Sequence, residues 1–317
     1  MSKVVLITGG SAGLGRAAAR KFLQQDHTVV ITGRTAETLQ SASKWITQDL
    51  GNEQKQRLHT IQLDLTGLNS VREAVQSFKN LNLPLDILIN NAGCSLPERE
   101  LLPADGTKPV VEKTIYVNAV APWYLTMLLL PIMETNSGDD DDDDEKRILF
   151  VTSSLHDPQV RGSRSVNISE LTNGVDLENL DGHRVWDPQL FYRISKLTQL
   201  WLAYCLSERI QSKNIQVIAF CPGFVPTTSL SRHHSYLLQL FMKYVLSYMS
   251  FATSEDEGSD DYLYYATSSE LTSGFYRRRE KMESSEESRR MDKAKKFWNL
   301  ACDICALPDE KYENGNS

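Results

Sequence analysis

Short apolar runs and longer amphipathic stretches take turns along the first 220 residues. Val4–Thr8 is apolar and runs into glycines, and Leu14–Gln25 follows with Leu14, Ala18, Phe22 and Leu23 at helical spacing. Thr28–Thr32 is a β-branched run, and a polar helix-like stretch extends from Ala36 to about Leu50. The spacing then predicts a strand over His59–Leu63, a helix over Val71–Phe78 and a strand over Asp86–Ile89. Helices over Val111–Met133 and Leu190–Gln211 precede strands over Ile148–Thr152 and Gln216–Phe220. Strands separated by helices of this length form right-handed crossovers, so the pattern predicts one α/β domain. That domain is a doubly wound parallel sheet with helices on both faces.

Three segments break the rhythm. Residues 137–146 hold Asp139–Asp144 and Glu145, a like-charge block that reads as an exposed, solvated loop. Six consecutive aspartates lack the glycine spacing of a shaped metal loop, so no metal is expected there. Residues 156–187 are polar and aperiodic, and are expected to fold over or beside an active site. Beyond about residue 228 the chain reads as a substrate-cap and tail region running to 317. Within it Ser254–Asp261 is acidic, Arg277–Arg279 is basic, and Met282–Ala306 reads as a docking amphipathic helix with Phe297, Trp298 and Leu300.

Charge and cysteines narrow the class. The acidic block alone accounts for the net charge of −7. With no basic field elsewhere, nucleic-acid binding is excluded. The five cysteines are odd in number and scattered, which suits a reducing compartment. Cys302 and Cys305 have CxxC spacing but read as small buried residues in an apolar helix. Ser2-Lys3 leads straight into the first strand, leaving no signal peptide, and Tyr236–Met249 is too short and too interrupted to span a bilayer. A cytoplasmic setting without a transmembrane segment is expected, with a small-molecule substrate; a homo-oligomer stays open.

The first strand ends in Thr8-Gly9-Gly10-Ser11-Ala12-Gly13-Leu14-Gly15 and opens a helix. Glycines there let the backbone approach a pyrophosphate, and the helix end supplies free N–H groups. Dinucleotide binding is therefore expected at Gly9, Ser11, Ala12, Gly13, Leu14 and Gly15. The second strand ends in Gly33-Arg34-Thr35, where a cofactor with a free 2′-hydroxyl favours an acidic residue. A guanidinium can bind a 2′-phosphate in a fork and stack on adenine, so Arg34 favours NADP(H) over NAD(H).

Taken in order, Thr8-Gly9…Gly13-Leu14-Gly15, Asp64, Asn90-Asn91-Ala92-Gly93, Asn118, Ser153-Ser154, Tyr192-Arg193-Ile194-Ser195-Lys196 and Pro222-Gly223 resemble the short-chain dehydrogenase/reductase family. Asp105-Gly106, Val117-Asn118, Ser195-Lys196-Leu197, Ser273-Gly274-Phe275-Tyr276 and Phe297-Trp298-Asn299-Leu300 resemble its retinol-dehydrogenase-like branch. The resemblance implies a Rossmann-type fold and a carbonyl/alcohol oxidoreductase of retinoids, steroids, lipid aldehydes or foreign carbonyls. It also implies roles for Asp64 and Leu65 at adenine, for Asn91, Ala92 and Gly93 at the adenosine ribose, for Pro222, Gly223 and Val225 at the nicotinamide carboxamide, and for Thr227 as a phosphate contact. Asn118 is implied to support a water that links Lys196 to bulk solvent. Ser154 would polarise the substrate oxygen, with Ser153 the competing choice. Cys221 stands where many relatives of this branch carry histidine.

The residues themselves supply a rationale. A tyrosine titrates near pH ~10, and lowering it by about two units takes roughly 3 kcal/mol. A cation about 4 Å away supplies that much at an effective dielectric of about 20. Tyr192 and Lys196, four apart on one helix face, meet the distance. Trp123, His156, Trp186, Phe191, Phe224 and the 236–249 stretch are candidates to line an apolar substrate cavity. Two other readings compete: a dinucleotide-holding sensor that acts through partners, and an enzyme working at a lipid surface through Tyr236–Met249.

Overall fold

The computed structural model describes residues 2–103, 109–135, 145–160, 174–210, 214–223 and 254–307. In chain order these form β1 (Val4–Ile7), α1 (Gly13–Gln24), β2 (Thr28–Gly33), α2 (Ala36–Ile46), α3 (Asn52–Gln56), β3 (Leu58–Gln62) and α4 (Leu68–Asn80). There follow β4 (Ile87–Asn90), a small hairpin of β5 (Leu101–Leu102) and β6 (Val111–Glu112), and the long helix α5 (Lys113–Thr135). The second half holds β7 (Lys146–Val151), α6 (Pro188–Arg209), β8 (Ile215–Cys221), α7 (Glu255–Thr267), β9 (Gly274–Arg277), β10 (Glu280–Met282) and α8 (Met291–Cys305).

The main sheet runs β10-β9-β8-β7-β4-β1-β2-β3 and is parallel except for the β9–β10 pair at one edge. Every residue of β1, β4 and β7 is buried, as expected where helices cover both faces. Side chains alternate between the two layers. Leu6, Val30, Leu88, Ile148 and Phe150 join α4, α5, α6 and α8 on one face. Val5, Ile7, Val29, Ile31, Ile89 and Leu149 join α1, α2 and α7 on the other. The chain winds outward from β1 to β3, then returns to β4 on the opposite side of β1. Ligand sites in such sheets lie at this reversal, outside the carboxyl ends of the strands.

Several predicted elements shift. The helix expected from Val111 begins only at Lys113, because Val111 and Glu112 pair with the β5 strand. The buried Glu112 carboxylate then caps α5 by accepting the Thr114 N–H at 2.7 Å. Tyr116–Val120 of α5 is a π-turn. Lys113–Thr135 is long and apolar enough to cross a membrane by length and composition, yet most of it is buried against the sheet. The helix expected from Met282 starts at Met291, since Met282 still belongs to β10.

The acidic stretch after Ser254 is a helix. Ser254 accepts the Glu257 N–H while the Glu257 carboxylate reaches back to Ser254 N, and the acidic first turn suits the positive end of the helix. This helix buries Tyr262 and Tyr265, and its neighbour β9 extends the main sheet. Within residues 254–307, α7, β9 and α8 each contribute side chains to the core. The Asp139–Asp144 run and residues 161–173 and 224–253 lie outside the described residues; Glu145 pairs with the buried Arg147 at 2.6 Å.

Candidate active site

Two loops at the reversal point form the nucleotide half. Gly9 and Gly13 take positive φ of 65° and 53°. Other residues rarely adopt that conformation. A Cβ on Gly15 would fall 2.5 Å from Asn91 Nδ2 and 2.8 Å from Gly9 O, so this contact between α1 and the β4 loop tolerates only glycine. At Gly13 a Cβ would meet nothing within 4 Å. The start of α1 has no side-chain cap and no acidic residue in its first turn. Its free N–H groups therefore remain available to an anion, and the loop fits a dinucleotide pyrophosphate. Ser11 and Ala12 are half-buried beside it, while the Leu14 side chain packs into the core.

The other cofactor residues divide. Asn91 donates to Thr8 O at 2.7 Å, which ties the β4 loop to the glycine loop, and Ala92 N–H donates to Thr8 Oγ1 at 3.0 Å. Arg34 is exposed at the end of β2. Asp64 turns its carboxylate onto Thr66 N and Oγ1 at 2.9 and 2.8 Å, and the Leu65 side chain is buried in the core. Pro222 is buried and Gly223 exposed with φ of 85° just after β8. Val225 and Thr227 lie outside the described residues.

The proton-transfer half is built where β7 ends against α6. Asp187 caps α6 through the N–H groups of Gln189 and Leu190, and Pro188 opens its first turn. This places Tyr192 and Lys196 one turn apart, facing the end of β7. Lys196 Nζ sits 5.9 Å from the Tyr192 ring centroid and donates to Val151 O at 2.8 Å. Burial brings Lys196 down to about 8. The Tyr192 hydroxyl is pushed up, first by burial and then by the nearby Cys221 thiol; a hydrogen bond from the Ser153 side chain opposes this.

That direction corrects the expectation that Lys196 makes the phenol acidic. Burial is the largest influence on the phenol, and the Lys196 Nζ is turned to a backbone carbonyl. Ser153 Oγ also accepts the Leu155 N–H, whereas Ser154 begins the next turn with its N–H on Cys221 Sγ at 3.2 Å. Ser153 therefore lies near enough to the phenol to influence its titration, and Ser154 follows it at the end of β7.

Asn118 lies inside the π-turn of α5. Its Oδ1 accepts the Cys94 N–H at 2.7 Å, and its Nδ2 donates to Cys94 O at 2.8 Å and Ser195 Oγ at 2.9 Å. Its backbone carbonyl accepts Gln199 Nε2 at 3.0 Å. A π-turn releases groups from the helical ladder, and such turns gather at functional sites. Asn118 therefore pins the end of the β4 loop to α6. A Cβ on Gly93 would stand 3.2 Å from Asn118 Oδ1 and 3.7 Å from Lys196 Nζ, so only glycine leaves that corner open.

Three groups were not singled out as site residues from sequence. Cys94 borders the centre, with its thiol raised to about 12 chiefly by burial. Gln199 and Tyr262 bond to Asn118 and Asn91, and nothing local in the sequence marks them. The apolar-cavity expectation is corrected in part. Trp123 is fully buried edge-on to Trp298 at 4.9 Å, and Phe191 is fully buried. His156 is buried too, between Ser153 O at 2.7 Å and Ser285 N–H at 3.2 Å. Trp186 alone of the described candidates is half-exposed, while Phe224 and residues 236–249 lie outside the described residues.

A doubly wound sheet with a glycine loop after β1 and a Tyr–Lys pair beside β7 defines an oxidoreductase of the dinucleotide-dependent kind. The sequence model of the short chain dehydrogenase family matches residues 3–161, and the chain belongs to that family, in its retinol-dehydrogenase-like branch. Polyprenol dehydrogenase of Mus musculus is 30% identical over 274 residues, 85% of this chain and 72% of the mouse protein. Retinol dehydrogenase 11 of Homo sapiens is 26% identical over 312 residues, 96% of this chain and 86% of the human protein. The RhlG/NADP active-site complex of Pseudomonas aeruginosa superposes with a TM-score of 0.62 at 20% identity, covering 87% of this chain and 94% of that one. At that identity the likeness shows the fold.

Proposed function

We propose that this chain is an NADP(H)-dependent oxidoreductase that moves a hydride between the nicotinamide and the carbonyl or alcohol carbon of a lipophilic substrate. The observation that carries the reading is the meeting of Tyr192, Ser153 and Lys196 beside an uncapped, glycine-lined helix end. When bound, the dinucleotide supplies or accepts the hydride. Tyr192, kept protonated by burial, donates its phenolic proton to the carbonyl oxygen in reduction and recovers it in alcohol oxidation. Ser153, near the phenol, and Ser154, next in the chain, supply hydroxyls that can hold the substrate oxygen. Lys196, near 8, can exchange protons at neutral pH and would hold the nicotinamide ribose when the dinucleotide is bound.

Arg34 at the end of β2, with no acidic residue in its place, supports the 2′-phosphate preference. The names of the polyprenol and retinol relatives specify apolar alcohols, which supports a lipophilic substrate. The five cysteines are free, in keeping with a cytosolic setting.

The test is NADPH consumption with retinal, steroid ketones and small aromatic carbonyls by wild type and Tyr192→Phe. Both proteins are expected to gain Tm on adding NADPH, while the variant loses about 10³-fold in kcat. A wild type that is stabilised by NADPH but turns over none of the panel shifts the reading to a dinucleotide-holding protein that acts through partners.

A further inference from the structure

The glycine loop is held in part by a residue from the far end of the chain. Tyr262 on α7 is fully buried and donates its phenolic O–H to Asn91 Oδ1 at 2.6 Å. The other end of that amide donates to Thr8 O at 2.7 Å and to Gly9 O at 3.4 Å. An asparagine amide has one acceptor end and one donor end, so filling the acceptor end decides which way the donor end points. The phenol fills it, and the Nδ2 group must then face the loop carbonyls. That amide is wedged into the turn: a Cβ at Gly15 or Gly9 would stand 2.5 or 3.2 Å from Asn91 Nδ2.

The Tyr262 ring is itself held in place. Phe220 stands edge-on to it at 5.1 Å and 87°, one residue before Cys221 and the Pro222-Gly223 turn. Burial pushes the Tyr262 hydroxyl far up, so it stays a donor at any working pH. Outside, Lys21 of α1 reaches Asp260 and Asp256 of α7 at 2.5 and 2.9 Å and closes the two helices on each other.

We infer that Tyr262 is a positioning residue for the dinucleotide. It fixes the Asn91 amide, and through it the Thr8–Gly9 turn, without touching the cofactor. The inference rests on the dinucleotide reading above. It makes the affinity of the amino-terminal loop depend on a helix near the carboxyl end.

The experiment uses the full chain, with NADPH titrated by nicotinamide fluorescence and turnover followed on the best carbonyl of the panel. Tyr262→Phe removes one oxygen and keeps the ring. It is expected to raise both Kd and KM for NADPH about tenfold, with kcat within about twofold of wild type. Lys21→Met cuts the outer tie between α1 and α7 and leaves the amide bond. It is expected to lower Tm while NADPH affinity stays within about twofold.

Equal NADPH affinity in Tyr262→Phe and wild type overturns the inference, as does Lys21→Met weakening affinity as much as Tyr262→Phe. If Tyr262→Phe does not fold, Phe220→Leu replaces it, with a rise in Kd of about threefold expected and no rise overturning. A wild type that binds neither NADPH nor NADH sinks the dinucleotide reading, and this inference with it. A loss confined to Tyr262→Phe supports both.

Discussion

The two halves of the crevice are built by opposite means. Around Gly9–Gly15 the backbone is left open: glycines at positive φ, an uncapped helix end, and nothing near the Gly13 Cβ position. Around Tyr192 and Lys196 most donors have a partner, and burial moves both side chains away from their ordinary titration. The first half has backbone N–H groups to spare for a polyanion. The second buries its two protonic groups. Substitutions in one half should change binding, and those in the other should change the rate of chemistry.

The sharpest way to break that division is at the open half. Gly15→Ala drives a Cβ into Asn91 and Gly9 O, and should weaken NADPH binding by about 10- to 100-fold. Gly13→Ala meets only the strain of its φ and should cost several-fold less. Equal losses in a direct binding titration would mean that the Asn91 contact does not shape the loop. A step smaller is Arg34→Asp, which should move the NADPH/NADH preference in kcat/KM about tenfold toward NADH. An unchanged ratio would mean that Arg34 does not face the 2′-phosphate.

At the buried half, Lys196 loses its charge as pH rises through about 8. NADPH affinity should therefore fall several-fold between pH 7 and pH 9.5. A profile that stays flat, or that persists in Lys196→Met, excludes the ammonium as a cofactor contact.

The smallest effect concerns stability. His156 is held below its usual range, mainly by burial, with Arg277 adding to this while the Ser153 hydrogen bond and Asp157 oppose it. Its Nδ1–H donates to Ser153 O and its Nε2 accepts the Ser285 N–H, so folding needs the neutral ring. The unfolded chain takes the proton more readily. Stability from this group is therefore complete above pH ~6.5 and falls as pH drops below it. Tm should decline more steeply from pH 7 to 5 in wild type than in His156→Phe, and matching slopes would exclude the effect.

What the sequence made legible was chemistry with fixed spacing. The glycines follow β1 at set intervals, and Tyr192 and Lys196 are one helical turn apart, so their placement needs no knowledge of distant neighbours. The doubly wound order of the first strands was legible for the same reason. By contrast, α7 was hidden because seven of its first eight residues from Ser254 on are polar or acidic, and only tertiary packing shows that Tyr262 and Tyr265 face inward. Trp123 and Phe191 were assigned to a cavity from residue type, which does not say which wall they face. The direction of the Tyr192 shift was misread because charge spacing is visible in a sequence and burial is not.

The packing of α8 bears on how the protein is made. Trp298 closes edge-on over Trp123, and Phe297 lies against Trp201 at 6.1 Å. These rings belong to the face of the sheet that carries α5 and α6. During synthesis at about 5–20 residues per second, that face waits on the order of ten seconds for its last helix to leave the ribosome. Throughout that interval the nascent chain displays the aromatic surface that α8 later covers.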